Sequence, residues 1–248
     1  MKQKRILIIG ASSAIAAACA RLWAGDGARF FLVARDAEKL AAMASDLGAR
    51  GASETQSFLM DASDTSAHAG MIREAFQAFQ GLDIALIAHG TLPDQTACEQ
   101  DAALALREFG VNGLSVIALL TGLASRFEQQ RGGALAVITS VAGERGRPGN
   151  YVYGSAKAAV STFCEGLRAR LFKHGVTLTD IRPGFVATPM TRGLPLPAWL
   201  TSTPEAVAKR IVSGIGRGTD VLYTPFYWYF ILCAIRHLPR AIFKRLKL

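Results

Sequence analysis

Tyr153 and Lys157 are the two residues in this sequence whose types and spacing best suit catalysis. They lie four residues apart in the run Tyr153-Gly-Ser-Ala-Lys157, so on a helix both side chains occupy the same face. A tyrosine with its ordinary pKa of about 10 exchanges protons poorly at neutral pH. A nearby ammonium favours the phenolate and lowers that pKa. The pair therefore predicts proton transfer to a substrate oxygen, as the reduction of a ketone requires.

A hydroxyl that could hold the substrate oxygen lies thirteen residues before Tyr153. Ser140 directly follows an apolar run that predicts a buried strand, and another such run ends at Pro183-Gly184. The carboxyl ends of parallel strands line the ligand crevice of an α/β sheet, so we expect these segments to meet there. A Tyr-x-x-x-Lys spacing alone is common by chance, and its combination with Ser140 indicates an active site.

The first strand-to-helix turn could bind a nucleotide. The apolar run 6–9 ends at Gly10, and the turn continues as Gly10-Ala-Ser-Ser-Ala-Ile-Ala16 before a predicted helix. Gly10 permits a tight turn, and the helix N-terminus offers unpaired N–H groups to a pyrophosphate. Ala14 and Ala16 stand where a glycine-rich fingerprint has its later glycines. A purely structural turn is the alternative interpretation of this segment.

Arg35 follows the second predicted strand and favours NADP over NAD. An acidic residue at this position would bind an adenosine ribose, whereas an arginine can bind the 2′-phosphate of NADP. The hydroxyls of Ser12 and Ser13 could donate to the same phosphate. Asp36 follows immediately, and a solvated surface charge is the alternative role for Arg35.

Strands and helices alternate along the chain, which predicts an α/β fold with a single doubly wound parallel sheet and helices on both faces. We expect strands near 6–9, 28–33, 57–60, 84–88, 134–139 and 176–181, and helices near 14–23, 36–47, 71–79, 101–130 and 153–174. No linker or repeat interrupts this pattern, so residues 1–220 are predicted to form a dinucleotide-binding and catalytic domain. Residues 221–248 are predicted to form a C-terminal tail of the same domain.

Over nearly its whole length the sequence resembles the short-chain dehydrogenase/reductase family. The resemblance implies a Rossmann sheet, catalysis by Ser140, Tyr153 and Lys157, and a relay water anchored by Asn112 in Phe109-Gly-Val-Asn112. It further implies that Lys157 holds the nicotinamide ribose of an NADP cofactor. Together with the residues above, it gives these cofactor-binding positions: Gly10, Ser12, Ser13, Ala14, Ile15, Arg35, Asp61, Ala62, Ala88, His89, Gly90, Tyr153, Lys157, Pro183, Gly184, Val186 and Thr188.

Within this resemblance Asp61 would contact adenine, and Val186 and Thr188 the carboxamide. The sequence departs from the family pattern at Ala14 and Ala16, and at His89, because Ile87-Ala-His-Gly90 replaces the usual Asn-Asn-Ala-Gly. His89 could tune the site near the ribose, or it could be a local hydrogen-bonding substitution.

The segment 189–203 occupies the place of the family's substrate lid. It carries Leu194, Leu196, Trp199 and Leu200. These side chains favour a hydrophobic substrate, although they could also serve only to pack the lid down.

The tail is apolar and aromatic from 221 to 235 and then basic from Arg240 to Leu248. The apolar part is shorter than the ~20 residues that span a bilayer. Aromatic side chains beside a polybasic segment suit peripheral contact with an anionic membrane. A last buried strand followed by a subunit-interface segment is the alternative.

From Ile6 to Leu248 the sequence resembles decaprenylphosphoryl-2-keto-ribose reductases and related bacterial sequences, which share a tail with tyrosine, tryptophan and a closing basic patch. This similarity implies a keto-sugar carried on a lipid as substrate, with a 3-oxoacyl or 3-ketosphingoid lipid as the runner-up. A nucleotide-sensing protein without turnover is the alternative of another class. The family also implies a homodimer or homotetramer.

The charge pattern argues against a nucleic-acid partner. The formal charge is +9, and five of the cations lie in the final stretch: Arg236, Arg240, Lys244, Arg245 and Lys247. The body of the protein is therefore only mildly basic. The four cysteines are scattered without metal-type spacing, so no metal site is predicted. The N-terminus lacks the features of a signal peptide, and we expect a cytoplasmic protein that could lie at the inner face of the membrane.

Overall fold

Seven parallel strands form the central sheet of the computed structural model, which describes residues 3–246. Their order is β3-β2-β1-β4-β5-β6-β9. The strands are β1 Arg5–Ile9, β2 Arg29–Ala34, β3 Glu54–Leu59, β4 Ile84–Ile87, β5 Gly133–Ile138, β6 Val176–Pro183 and β9 Val221–Thr224. A separate pair of short strands, β7 Phe185–Val186 and β8 Thr201–Ser202, joins the two ends of the predicted lid.

The sheet is buried on both faces, as the continuous apolar runs predict. Ile6, Leu7, Ile8 and Ile9 of β1 are all fully buried, and alternate side chains enter opposite core layers. One layer is covered by the helices α1 Ala14–Gly25, α2 Ala37–Ala49 and α8 Pro204–Gly216. The other layer is covered by α3 His68–Phe79, α6 Ser115–Gln130 and α7 Tyr151–Phe172. The predicted doubly wound α/β fold is confirmed.

The strand order reverses between β1 and β4, because β2 lies on one side of β1 and β4 on the other. Crossovers on opposite sides of this point leave a crevice at the carboxyl ends of the two strands. The turn after β1 and the segment after β4 open into that crevice. The sheet therefore brings the predicted nucleotide turn and the residues around His89 to one edge.

The long helix predicted over 101–130 is divided by a wider turn. It consists of α5 Ala102–Phe109, a π-helical turn Gly110–Leu114 and α6, and it follows a short α4 Gln95–Gln100. The continuous helix Ala102–Gln130 is long and apolar enough to cross a membrane by length and composition. One face of α6 is nevertheless buried against the sheet, as in the core helix of a globular domain. The π turn places Asn112 in the buried part of this helix.

The C-terminal segment forms defined elements on the domain. Its first residues are the edge strand β9, which pairs parallel to β6, and the chain continues as α9 Tyr227–His237 and α10 Arg240–Phe243. The first residues of the apolar run are therefore the last strand of the sheet, as the alternative interpretation of the tail predicts. The predicted basic segment extends to Lys247 and Leu248, which lie outside the described residues.

Candidate active site

A cavity of about 460 Å³ opens at the carboxyl ends of β1, β4, β5 and β6. Of the predicted site residues, these line it: Gly10, Ser12, Ser13, Ala14, Ile15, Arg35, Asp61, Ala62, Ala88, His89, Gly90, Ser140, Tyr153, Lys157, Pro183, Gly184, Val186 and Thr188. Asn112 lies behind the wall. The wall also contains Thr91, Val111, Thr139 and Met190, which no motif had singled out. One crevice thus contains both the predicted nucleotide turn and the predicted catalytic side chains.

Lys157 and Tyr153 lie on the same face of α7, as their spacing predicts. The Lys157 Nζ lies 5.6 Å from the centre of the Tyr153 ring and donates a hydrogen bond to the Ile138 carbonyl at 3.2 Å. The lysine is only 3% exposed. Its ammonium is therefore held between the tyrosine and the last residue of β5, close to where Ser140 begins the next turn.

Ser140 is hydrogen-bonded to Tyr153 and also caps the turn that follows it. Its Oγ accepts a bond from the Ala142 N–H at 3.0 Å, at the start of the 3₁₀ turn Val141–Glu144. Because the serine uses an acceptor site for the cap, its own proton can be donated to the Tyr153 oxygen or to an oxygen in the cavity. The two hydroxyls can therefore hold a carbonyl oxygen between them.

Burial controls the protonation of both catalytic groups. Burial raises the pKa of Tyr153 to about 12, and the hydrogen bond with Ser140 opposes that rise. Burial lowers the pKa of Lys157 to about 8, and the negative charge of Asp180 opposes that fall. The expectation of a lowered Tyr153 pKa is therefore wrong for this site, because desolvation of the phenolate is the largest effect on this group. Tyr153 holds its proton at neutral pH, which suits a proton donor.

The side chain of Asn112 braces the segment after β4. Its Nδ2 donates to the Thr91 hydroxyl at 2.9 Å and to the Glu108 carbonyl at 3.0 Å, and its Oδ1 accepts from the Thr91 N–H at 3.0 Å. A side chain at Gly90 would meet both Asn112 Oδ1 at 2.9 Å and Lys157 Nζ at 3.5 Å. Only glycine lets this segment pass between them. The role of Asn112 in anchoring a water stays a prediction.

The nucleotide turn packs tightly against the segment after β4. Gly10 has a φ of 81°, and a Cβ at that position would lie 2.5 Å from the His89 nitrogen. The first helical residue is Ala14, and the Ser13 side chain before it makes no capping bond. Ala16 is fully buried in the core beneath the turn, so its methyl group packs inside the protein and does not border the cavity. Of the two alanines that stand in place of fingerprint glycines, only Ala14 borders the cavity.

Arg35 lies at the rim of the cavity with 73% of its side chain exposed, and its guanidinium is 4.0 Å from Asp61. The Asp61 carboxylate accepts bonds from the N–H and the hydroxyl of Ser63. Asp36, which follows Arg35, caps α2 through the Lys39 N–H and pairs with the Lys39 ammonium at 3.1 Å. The carboxylate of Asp36 is therefore occupied at the helix terminus, and the Arg35 side chain is available to a ligand.

His89 is kept neutral by burial and takes part in a local hydrogen bond. Its Nε2 lies 2.8 Å from the Ser115 hydroxyl, which donates its own proton to the Val111 carbonyl at 2.8 Å. Ser115 can therefore only accept from the histidine, so the ring proton is on Nε2. Burial, with Lys157 nearby, lowers the pKa of His89 to about 3. The contact with Ser115 supports the interpretation as a local hydrogen-bonding substitution.

The lid and the tail meet beside the Pro183-Gly184 segment. Trp228 of α9 covers Gly184 so closely that a Cβ there would lie 1.8 Å from the indole. The same indole packs edge-on against Phe185, with ring centres 5.0 Å apart. The Tyr227 hydroxyl donates to the Leu200 carbonyl at 3.4 Å. The sequence did not predict this packing, and the aromatic density of the tail was its only visible sign.

Comparisons with known proteins agree with this geometry. Residues 4–197 match the family model described as short chain dehydrogenase. An uncharacterised oxidoreductase of Mycobacterium tuberculosis is 38% identical over 241 residues, which cover 97% of this chain and 96% of that protein. Sulfoacetaldehyde reductase 2 of Chromohalobacter salexigens is 32% identical over 190 residues, covering 75% of this chain and 74% of that one. The crystal structure of levodione reductase superposes with a TM-score of 0.80 at 21% identity, covering 88% of this chain and 94% of that one.

Proposed function

The chain belongs to the short-chain dehydrogenase family of oxidoreductases, and we propose that it is an NADPH-dependent reductase that converts a ketone into a secondary alcohol. The observation that carries the proposal is the meeting of Ser140, Tyr153 and Lys157 at one end of the cavity. Tyr153 holds its proton at neutral pH and can donate it to the reduced carbonyl oxygen.

Each catalytic side chain has a separate task in this reaction. A bound nicotinamide supplies the hydride that the carbonyl carbon receives. Ser140 donates a hydrogen bond to the carbonyl oxygen, and Tyr153 transfers its proton to the same oxygen. The phenolate left on Tyr153 is stabilised by the Lys157 ammonium, since an opposite charge in a buried site favours the ionised form. Water near Asn112 returns the proton to Tyr153, as the family resemblance implies.

The residues around the cavity fit a dinucleotide. The open N-terminus of α1, with the uncommitted hydroxyl of Ser13, suits a pyrophosphate. In this proposal Asp61 and Ala62, which line the cavity, bind the adenine, and Val186 and Thr188 bind the nicotinamide. The exposed Arg35 guanidinium supports NADP over NAD, because it can pair with the 2′-phosphate while Asp36 is engaged by Lys39.

The surface around the lid supports a hydrophobic substrate, in our proposal a keto-sugar on a lipid carrier. Trp199 is 80% exposed, and Leu194 and Met190 on the same segment are also exposed. Met190 also borders the cavity. An apolar rim of this kind suits an acyl or prenyl chain that continues beyond the reacting carbonyl. A 3-oxoacyl or 3-ketosphingoid lipid would use the same rim and is the second candidate.

The tail supports peripheral contact with an anionic membrane. Phe226, Tyr229 and Phe230 are exposed along α9, and no acidic residue follows Asp220 in the sequence. The side chains of Arg240, Lys244 and Arg245 are exposed. Exposed aromatic groups beside cations suit the interface of an anionic bilayer. Such contact would bring the lid close to a lipid-linked substrate at the inner face of the membrane.

We also propose a homodimer or homotetramer formed through surface helices. Leu106 on α5, Leu114 on the π turn and Phe172 at the end of α7 are large apolar side chains that are all exposed. Exposed apolar groups on neighbouring helices are typical of subunit contacts.

Turnover distinguishes this function from that of a nucleotide sensor, which could lose Ser140, Tyr153 and Lys157 without consequence. The experiment is NADPH oxidation by the purified protein against a panel of lipid-linked keto-sugars and 3-keto lipids. Oxidation with a lipid-linked keto-sugar supports the proposal, and oxidation with 3-keto lipids alone selects the second candidate. Binding of NADPH without turnover on any member of the panel would favour the sensor.

A further inference from the structure

A series of buried charged side chains connects the active site with the C-terminal tail. The carboxylate of Asp180 on β6 accepts hydrogen bonds from Thr139 Oγ1 at 2.5 Å and from Arg182 Nε at 2.7 Å. Arg182 also donates to the carboxylate of Glu144, which accepts a further bond from Arg236 of α9 at 3.2 Å. Opposite charges therefore alternate from the sheet to the tail.

The inner end of this series meets the catalytic lysine at the end of β5. Lys157 donates to the carbonyl of Ile138, and the next residue, Thr139, donates to Asp180. The ammonium and the carboxylate are thus bound to consecutive residues, and Ser140 follows directly. The end of β5 is held between a buried cation and a buried anion.

The buried charges of this series are paired along its length. The side chains of Asp180 and Glu144 are 1% and 5% exposed, and that of Arg236 is 45% exposed. Arg182 is mostly buried and pairs with both carboxylates, and Arg236 pairs with Glu144. The negative charge of Asp180 also favours the ammonium of Lys157. Buried charges without a counter-charge are costly, so Asp180 and Lys157 stabilise one another.

We propose that Asp180 is a positioning residue of the active site, whose buried carboxylate keeps Lys157 charged and fixes the strand end from which Ser140 projects. The inference rests on the proposed function for the role of Lys157 in holding the cofactor. The titratable or charged groups that face Lys157 are Tyr153 on its own helix, His89 after β4 and Asp180 on β6.

The direction of the effect follows from these surroundings. Burial already lowers the pKa of Lys157 to about 8, and Asp180 acts against that change. Removal of the carboxylate leaves the burial in place and takes away the opposing charge. The ammonium would then lose its proton at a lower pH, so a site that depends on the cation would weaken closer to neutrality.

The test is the pH dependence of NADPH binding, measured by cofactor fluorescence between pH 6.5 and 9.5 for the wild type and Asp180→Asn. Asparagine has the same shape and can still accept from Thr139. We expect the midpoint at which affinity falls to move down by about one pH unit or more. The ionisation of NADPH is the same in both measurements, so a difference between the two midpoints arises from the protein.

Two controls separate charge from structure. Thr139→Val removes the hydrogen bond to Asp180 but keeps its charge, and its midpoint should stay close to that of the wild type. In a Lys157→Met background, Asp180→Asn should cause no further change in pH dependence, because the responding group is absent. A midpoint of Asp180→Asn equal to that of the wild type overturns the inference while leaving the reductase proposal intact. Failure of the wild type to bind NADPH or NADH would instead overturn the proposed function.

Thermal unfolding covers the case in which Asp180→Asn folds poorly. The double variant Asp180→Asn with Lys157→Met removes one anion and one cation together. The double variant should then have a higher Tm than Asp180→Asn alone. An equal or lower Tm would show that Asp180 has only a structural role and would contradict the proposal.

Discussion

Trp228 lies directly on the backbone of Gly184, so a residue forty-four positions further along the sequence forms part of the support of the active site. Gly184 borders the cavity, and Trp228 is almost fully buried against Val141 and Leu232. The contact leaves no room for a side chain on residue 184. The tail therefore helps to position the segment that is predicted to flank the nicotinamide.

The exchange Gly184→Ala should destabilise the protein by about 1–3 kcal/mol, because the new methyl group would overlap the indole. NADPH affinity should fall with it. The measurement is urea unfolding of the variant beside Gly149→Ala, a glycine whose added Cβ would meet nothing within 4 Å. The double variant Gly184→Ala with Trp228→Leu should recover part of the loss. Equal stability of the two single variants would contradict the packing.

Tyr153→Phe should reduce turnover by at least about 100-fold, since it removes the proton donor. NADPH binding should stay close to that of the wild type because the ring and Lys157 remain. Steady-state kinetics and cofactor fluorescence measure the two quantities separately. Activity retained in this variant would show that another group delivers the proton.

Arg35→Ala should weaken NADPH by about 10-fold or more, as expected for loss of a charge-assisted hydrogen bond. NADH should be nearly unaffected because it lacks the 2′-phosphate. Arg217→Ala is the matched control, since that arginine is exposed and does not border the cavity. Equal losses for both cofactors would refute the phosphate role of Arg35.

His89 should make stability fall as the solution becomes acidic. Its pKa is about 3 in the folded protein and near its ordinary value of about 6.5 in the unfolded chain. The unfolded state binds the extra proton between these values, so this contribution to stability is complete above pH 6.5 and declines toward pH 3. His89→Gln, which cannot titrate, should show a shallower decline in urea unfolding between pH 7.5 and 5. The same slope in both proteins would contradict the neutral imidazole.

The tail should bind vesicles that contain phosphatidylglycerol at low salt, and neutral phosphatidylcholine vesicles far less. Replacement of Arg240, Lys244 and Arg245 by Gln should abolish the difference, since each cation near an anionic surface contributes about 1 kcal/mol. Cosedimentation measures the bound fraction. Catalytic activity on a soluble ketone should be unchanged. Equal binding by the triple variant would exclude an electrostatic contact through these residues.

The sequence predicted the sheet because its strands are continuous apolar runs, and such runs are buried on both faces of a parallel sheet. It predicted Tyr153, Lys157 and Ser140 because local spacing and strand ends place them in one crevice. It did not predict α8, or the π turn at Gly110, which continues a helical periodicity. The contacts of Asp180 with Thr139 and of Trp228 with Gly184 join distant parts of the chain, and periodicity carries no information on such pairs.

The direction of the Tyr153 pKa shift could not be read from the sequence either. Spacing shows that a lysine is near, but the depth of burial depends on the whole fold. Desolvation in the folded site is the largest effect on this pKa, and only the three-dimensional arrangement reveals it.

The contact of Arg145 with the carbonyl of Ile235 spans 90 residues and joins the turn after Ser140 to the end of α9. A chain that emerges from the ribosome can complete β1 to β6 early, since domains begin to fold from the N-terminus during synthesis. The support behind Ser140 and Gly184 is missing until α9 has been released. Nascent chains that have not yet released α9 would therefore carry the catalytic side chains without a finished site.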